Sequence, residues 1–468
     1  MDKEVRPLMN QKWINSSLAL FCILAFLARI GADIQLKAWK QPSAMEHRSI
    51  ALSLVHGTGF TFGDWGYYGP TSVQSPPFPF LLAGMYEVFG TDEPHDGSLH
   101  GANRAYFAIM VLNALAGALL VWLTYKMTRT MGGTALAGLI AAGLVAIWPT
   151  QIYAARFVQA VTFITCGVAA MVILYHKAIN TGNTGPWVAF SVVAALMALT
   201  EPVFLPALIL ITGLMLITKP LPWSARFRNM AIQAFVVLAI IGPWATRNYI
   251  VHGKLIPVKG SFWVNVWKGN NDYATGSDRL PLTKTEKAKL LRHKADDGDD
   301  AIDDSHHVEE MLDPSQVLRL ANHPEAEREV LWKQYATGWI KAHPGRYLQL
   351  CGIRLIKTIT IDWDNPRAYL SKTYQISRAA ILLLTLAGLY TAIKQRWQLQ
   401  IPFILAFCAL ASYTLTVTAA RFAFPFEPIQ LALGAGFLAT LLPDPDRARR
   451  PEVRGFEPVV RTVPSMAR

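Results

Sequence analysis

Ten long apolar blocks, separated by short charged or turn-rich segments, decide what this chain can become. They run Ile14–Gly31, Ala105–Met127, Thr134–Trp148, Val158–Tyr175, Pro186–Leu199, Val203–Ile217, Met230–Trp244, Arg378–Ile393, Ile401–Val417 and Ile429–Leu442. Hydrocarbon offers backbone groups no water, so each block must satisfy its own hydrogen bonds as a helix. Several blocks are nearer 15 than 20 residues, which thinned lipid or neighbouring protein accommodates. The chain is 52% hydrophobic and only 16% charged. Its mean hydropathy, +0.26, is modest because two polar loops dilute it. The expected fold is an all-α polytopic membrane protein of about ten transmembrane helices with two large outer loops.

Charge placement sets the expected orientation. With the N-terminus inside, the inner segments carry Lys3, Arg6 and Lys12, then Lys126 and Arg129, then Lys177. Lys219, Arg226 and Arg228 follow, then Lys394 and Arg396, and finally Arg447, Arg449, Arg450 and Arg454. Every short inner segment is basic, as the positive-inside rule asks. The same rule accounts for the net charge of +12 without a nucleic-acid partner, since the basic residues form no stripe on a soluble face. The expected plan is a cytoplasmic N-terminus (1–13), the first span (14–31) and an outer loop (32–102). Spans two to seven (103–246) follow, then a second outer loop (247–377), spans eight to ten (378–442) and a basic cytoplasmic tail (443–468). Both termini are then cytoplasmic. Arg29 interrupts the cleavage region a signal peptide would need, and nine further spans follow, so the first block reads as a retained helix.

Cys22, Cys166 and Cys408 lie in apolar blocks and Cys351 on an interfacial stretch, without metal or disulfide spacing, so all four read as packing residues. SPPFPFLLAGMYEVFG is too short and proline-rich to span, and reads as a juxtamembrane helix from about Pro79 to Gly90. RYLQLCGIRLIKTITIDW sets Leu348, Leu355 and Ile359 against Arg346, Arg354 and Lys357, an interfacial amphipathic pattern. The acidic run KADDGDDAIDDSHHVEEMLD, with His306 and His307, lacks the ligand spacing of a calcium loop and reads as a solvated insertion.

Large outer loops on a helical platform point to chemistry at the outer membrane surface, and no internal repeat of the transporter kind is visible. Glu46 precedes a helical pattern in which Ile50, Leu54 and Val55 share a face. Fixed there, its carboxylate suits proton removal from a hydroxyl; capping or salt-bridging the loop helix is the other role these residues allow. Arg247 and Arg421 each close the outer end of a span beside prolines and aromatics. A guanidinium at that level either snorkels or grips phosphate bidentately. Arg354 and Lys259 lie near in topology and favour the second role, while Glu201 sits at an outer helix end.

Four stretches then carry a resemblance: MEHRSIALSLVHGTGF with GPTSVQSPPFPFLLAGMYEVFG; PWATRNYIVHGKLIPV with WKGNN; NHPEAEREV with YATGWIKAHPGRYLQL; and ARFAFPFEPI. In this order the chain resembles the bacterial branch of the dolichyl-phosphate-mannose–protein mannosyltransferase family, glycosyltransferase family 39, among the C-type membrane glycosyltransferases. The resemblance implies a C-type glycosyltransferase fold in the bacterial inner membrane. It implies inverting transfer of a sugar from a polyprenyl-phosphate donor to a protein, lipid or glycan hydroxyl on the periplasmic side, with no metal or other cofactor. It also implies Glu46 as the base, with Asp33 as fallback; Arg247 and Arg421, read from their own placement, are then expected to hold the donor phosphate, with Arg354 assisting. The chain departs from the family pattern at Ser43, Ala44 and Met45, and at Gln159, where relatives often carry an acid. Two rival readings are a transporter or lipid flippase, and an inactive scaffold on the same fold.

Overall fold

The computed structural model describes residues 10–40, 42, 44–64, 67–92, 98–217, 221–280, 283, 312–365 and 371–442. The acidic run, apart from its last two residues, and the basic tail lie outside them, as do Lys3, Arg6 and Lys219.

Helix α1 (Gln11–Gln35) buries one stripe, Ile14, Leu18, Ala25, Arg29 and Asp33, and turns Leu20, Ile23 and Leu27 outward. A helix whose exposed face is leucine and isoleucine is soluble only in lipid. The centre of the bundle is α4 (Gly101–Met131), which packs against α1, α5 (Ala135–Ile147) and α7 (Val161–Thr181). At ~1.5 Å per residue, 31 residues exceed the ~30 Å hydrocarbon layer, so α4 projects beyond it. A short helix, α6 (Pro149–Ala154), joins α5 towards α7. Helices α8 (Thr184–Thr200), α9 (Phe204–Ile217) and α10 (Trp223–His252) complete this side.

Arg29 explains how a charge is tolerated on α1. Its guanidinium donates to Ala25 O at 2.9 Å, Ala146 O at 3.3 Å and Val145 O at 3.4 Å. The last two belong to the final turn of α5, where carbonyls lack helical partners.

Two long connections rise from one end of the bundle and touch each other. The first holds α2 (Met45–Val55), a hairpin of β1 (Thr61–Asp64) and β2 (Tyr67–Pro70), and α3 (Pro77–Phe89). The strands are antiparallel with Thr61 opposite Pro70. Prolines at the start of α3 and Gly90 at its end bracket the helix expected between about Pro79 and Gly90. The second connection holds α11 (Phe262–Gly269), α12 (Pro314–Ala321), α13 (Glu325–Ala342) and α14 (Pro344–Ile359). A small core of Leu320, Leu331 and Trp332, with Trp263, Trp267 and Tyr335 against it, holds this connection together.

Three further helical pieces return to the bundle: α15 (Lys372–Lys394), α16 (Gln400–Leu415) and α17 (Glu427–Leu441), the last preceded by a 3-10 turn, Ala420–Phe426. Helices α15 and α17 cross at Gly388, where a Cβ would sit 2.2 Å from the Leu433 carbonyl. Only a glycine lets the backbones approach so closely. Six helical segments are long and apolar enough to cross a membrane and four more are shorter apolar helices, ten among the described residues. These ten coincide with the ten apolar blocks.

Candidate active site

Between the two long connections and the helix ends beneath them lies a cavity of about 840 Å³. All four stretches singled out in the sequence reach it. Glu46, His47 and Gln74 come from the first connection, Glu325, Arg328 and Glu329 from α13, and Arg421 and Phe422 from the 3-10 turn. From the second stretch WKGNN contributes Lys268, while the residues just after PWATRNYIVHGKLIPV add Lys259. Membrane helices contribute Glu201, Pro206 and Tyr413. Residues nearly 400 positions apart thus face one space.

Glu46 stands in the first turn of α2, where the helix N-terminus favours an anion. Its Oε2 accepts from Gln74 Nε2 at 3.1 Å. Burial pushes this carboxyl up, but its own backbone N–H, Lys268, His47 and Arg421 together outweigh burial and hold it below the usual carboxylate range. Burial, opposed by Glu46 and Glu201 and helped by Lys259 and Arg421, pulls His47 down to about 4. At neutral pH the pair is therefore carboxylate and neutral imidazole.

Arg421 faces the same cavity, half-buried. Its guanidinium lies over the Phe422 ring at 5.4 Å, and that ring stacks on Tyr413 at 4.4 Å. Among the described residues the Arg421 N–H groups make no hydrogen bond and no salt bridge. The turn carrying it is fixed from behind, where Gln151 Nε2 donates to Phe424 O at 3.0 Å. Glu201 is engaged differently, taking Lys259 Nζ at 2.7 Å across the cavity wall. A smaller recess adjoins, sharing His47, Gln159, Glu201, Tyr413 and Arg421 and floored by Phe78 and Phe204.

The other expected site residues lie elsewhere. Arg247 donates to Thr71 O at 2.6 Å and Phe60 O at 3.0 Å and stacks over Trp244 at 4.9 Å, fastening the first connection to α10. Arg354 is fully buried and donates to Gly269 O at 2.6 Å and Thr414 O at 2.6 Å, joining α11, α14 and α16. Neither lines the cavity. Asp33 is fully buried in α1 and its two oxygens accept no hydrogen bond; the cations acting on it are Arg156 and Arg29. It too stands apart from Glu46. Among the described residues no group of three His, Cys, Asp or Glu side chains is placed to hold a metal ion.

Reading by sequence missed Lys268, Gln74 and Tyr413. Lys268 sits inside WKGNN, a stretch already marked by resemblance, and the signal was available there. Nothing local distinguishes Gln74 or Tyr413, which reach the cavity only through tertiary packing.

No protein-family model and no curated protein matches the chain. Among solved structures it is similar to the Archaeoglobus fulgidus oligosaccharyltransferase. The form tethered with an acceptor peptide containing the NVT sequon gives a TM-score of 0.51 at 14% identity, over 92% of this chain and 50% of that one. The complex with Zn and sulfate gives 0.50 at 14% identity, over 91% and 49%. ArnT from Cupriavidus metallidurans bound to undecaprenyl phosphate aligns over 92% of this chain and 79% of its own, at 13% identity with a TM-score of 0.39, too loose to carry an argument. The chain spans about half the length of the oligosaccharyltransferase. At such identity the likeness speaks for architecture alone: this is a polytopic membrane protein, helical apart from the one hairpin among the described residues, with the C-type glycosyltransferase fold.

Proposed function

We propose that this chain is a membrane glycosyltransferase, taking a sugar from a polyprenyl-phosphate donor and delivering it to an acceptor hydroxyl on the periplasmic side of a bacterial inner membrane. The observation that carries this reading is a carboxylate, Glu46, and a guanidinium with unused donors, Arg421, facing one cavity at the end of a membrane bundle. The family 39 resemblance supports it, because the stretches that carry the resemblance supply most of the charged lining. The resemblance also favours mannosyltransferase-like chemistry over other sugars.

The step is a single displacement. The acceptor oxygen bonds to the anomeric carbon as the bond from that carbon to the phosphate oxygen breaks. The electron pair leaves with the lipid phosphate, and the acceptor proton passes to Glu46. Arg421, with Lys268 beside the same cavity, meets the charge growing on the leaving phosphate. Glu46 is a weak base for a neutral alcohol because its proton affinity is low. It suits a proton transfer that runs late, after the departing phosphate has made the sugar carbon cationic. One carboxylate suffices for such a step, where a retaining glycosidase needs two.

Purified protein given labelled polyprenyl-phosphate sugars and a lysate of acceptors should release polyprenyl phosphate together with a labelled product. Movement of the lipid across vesicles without release would mark a flippase. No release and no movement would leave an inactive scaffold.

A further inference from the structure

The strip Thr71–Gln74 connects two carboxylates. At one end Glu325, the first residue of α13 and only 7% exposed, accepts from Thr71 Oγ1 at 2.5 Å and from both the backbone N–H and Oγ of Ser72 at 2.7 Å. Two other residues clamp the same spot. Arg247 donates to Thr71 O at 2.6 Å, and the Gly260 N–H donates to Ser72 O at 2.8 Å. Thr71 and Ser72 are themselves fully buried. Two residues beyond Ser72, Gln74 gives Glu46 its side-chain hydrogen bond.

Three donors converging on one side chain require a group that only accepts, and an ionised carboxylate is that group. A glutamine at 325 would turn an NH₂ towards a donor and leave buried groups unpaired. Glu325 comes from the second long connection and Glu46 from the first, so the strip is the mechanical link between them. The other groups acting on Glu46 arrive by independent routes, Lys268 from α11, Arg421 from the 3-10 turn and His47 from α2 itself.

We infer that Glu325 is a positioning residue, acting through Ser72 and Gln74 to orient the Glu46 carboxylate, so that docking of the second connection sets the geometry of the base. The inference rests on the role proposed for Glu46.

The test reads Glu46 directly. Carbodiimide modifies protonated carboxyls, and peptide mass spectrometry reports its yield at Glu46 as pH is varied. In the intact protein, Gln74→Ala and Glu325→Gln should both move modification of Glu46 to higher pH, and the double variant should match Gln74→Ala alone. Where transfer is measurable, each should lower kcat by about ten- to a hundredfold with donor KM little changed. Ser72→Ala, which removes one donor and keeps the carboxylate, should act in the same direction and covers the case in which Glu325→Gln does not fold. Shifts that add in the double variant, or a Glu325→Gln protein with an unmoved Glu46 profile, would overturn the inference. Wild-type protein that transfers no sugar yet shows the coupled shift would sink the proposed function and leave the mechanical link standing.

Discussion

Arg378 on α15 meets Glu427 at the start of α17 with 3.3 Å between Nη1 and Oε1, both side chains buried inside the bundle. Glu427 also accepts from Thr150 Oγ1 at 2.5 Å and Gln151 Nε2 at 2.7 Å. Arg378 also donates from Nε and Nη2 to the carbonyls of Thr358, Ile359 and Thr360, where α14 ends. This pair and its hydrogen bonds therefore tie four helices, α6, α14, α15 and α17, to the turn that carries Arg421.

Breaking that pair from one side strands a buried charge. Arg378→Ala or Glu427→Ala is expected to cost about 3–5 kcal/mol in thermal or denaturant unfolding in detergent. Replacing both by Met and Leu should recover only part of the loss, because the stranded charge is removed while the carbonyls of Thr358, Ile359 and Thr360 stay unpaired. Single variants as stable as the parent would refute this.

Glu46→Gln should lower sugar transfer by about a hundredfold or more while leaving the unfolding temperature within a degree or two of the parent. The check is product formation against melting on the same preparation. Near-normal transfer would remove the base assignment.

The three expected phosphate arginines should separate cleanly. Arg421→Ala is expected to reduce kcat/KM for the lipid donor by about 10²–10³, and Arg421→Lys to recover only part, since an ammonium lacks the planar fork. Arg354→Ala should instead destabilise the fold by roughly 1–3 kcal/mol through unpaired carbonyls. Arg247→Ala should fall on kcat, through the Thr71 strip, with donor KM little altered. Titration of donor concentration distinguishes the three patterns.

A base works only when unprotonated, so the rate falls as pH drops through the Glu46 pKa. Because that pKa is lowered, the acid limb of kcat/KM should lie below the range of an ordinary glutamate. Lys268→Ala removes a stabilising cation and should shift the limb upward. His47, held near 4, should contribute no inflection between pH 6 and 7. A limb centred there and abolished by His47→Ala would contradict the geometry.

Glu329 gives a stability test of opposite sign. Burial, with Glu325 adding to it, raises this carboxyl from its ordinary 4.5 to about 7, against the pull of the Trp263 and Val264 backbone N–H groups. The folded state thus binds the proton more tightly than the unfolded chain. Stability from this group is full below about pH 4.5 and declines as pH rises towards 7. Glu329→Gln should therefore gain on the parent by about 1–3 kcal/mol from pH 5 to pH 8. Parallel melting curves across that range would count against it.

Much of the architecture was legible because the bilayer admits so few solutions. An apolar block such as Ala105–Met127 has to be a helix, and α4 is one. Prolines and Gly90 set the ends of α3 in the same way. The site was less legible. Arg247, Arg354 and Arg421 look alike in sequence, each beside aromatics or at a helix end. What separates them is where loose carbonyls happen to lie: Thr71 and Phe60 consume Arg247, Gly269 and Thr414 consume Arg354, and none consumes Arg421. That accounting is tertiary, and local pattern does not contain it.

The cavity wall joins Pro206 and Tyr413, on helices of the bundle, with Glu46 on the first connection and Lys268 and Arg328 on the second. Apolar and ionic side chains thus line a single space. A molecule built the same way, greasy at one end and saline at the other, could lie against it with each part in a medium like the one it came from. For such a guest, arrival would be a sideways slide rather than an extraction.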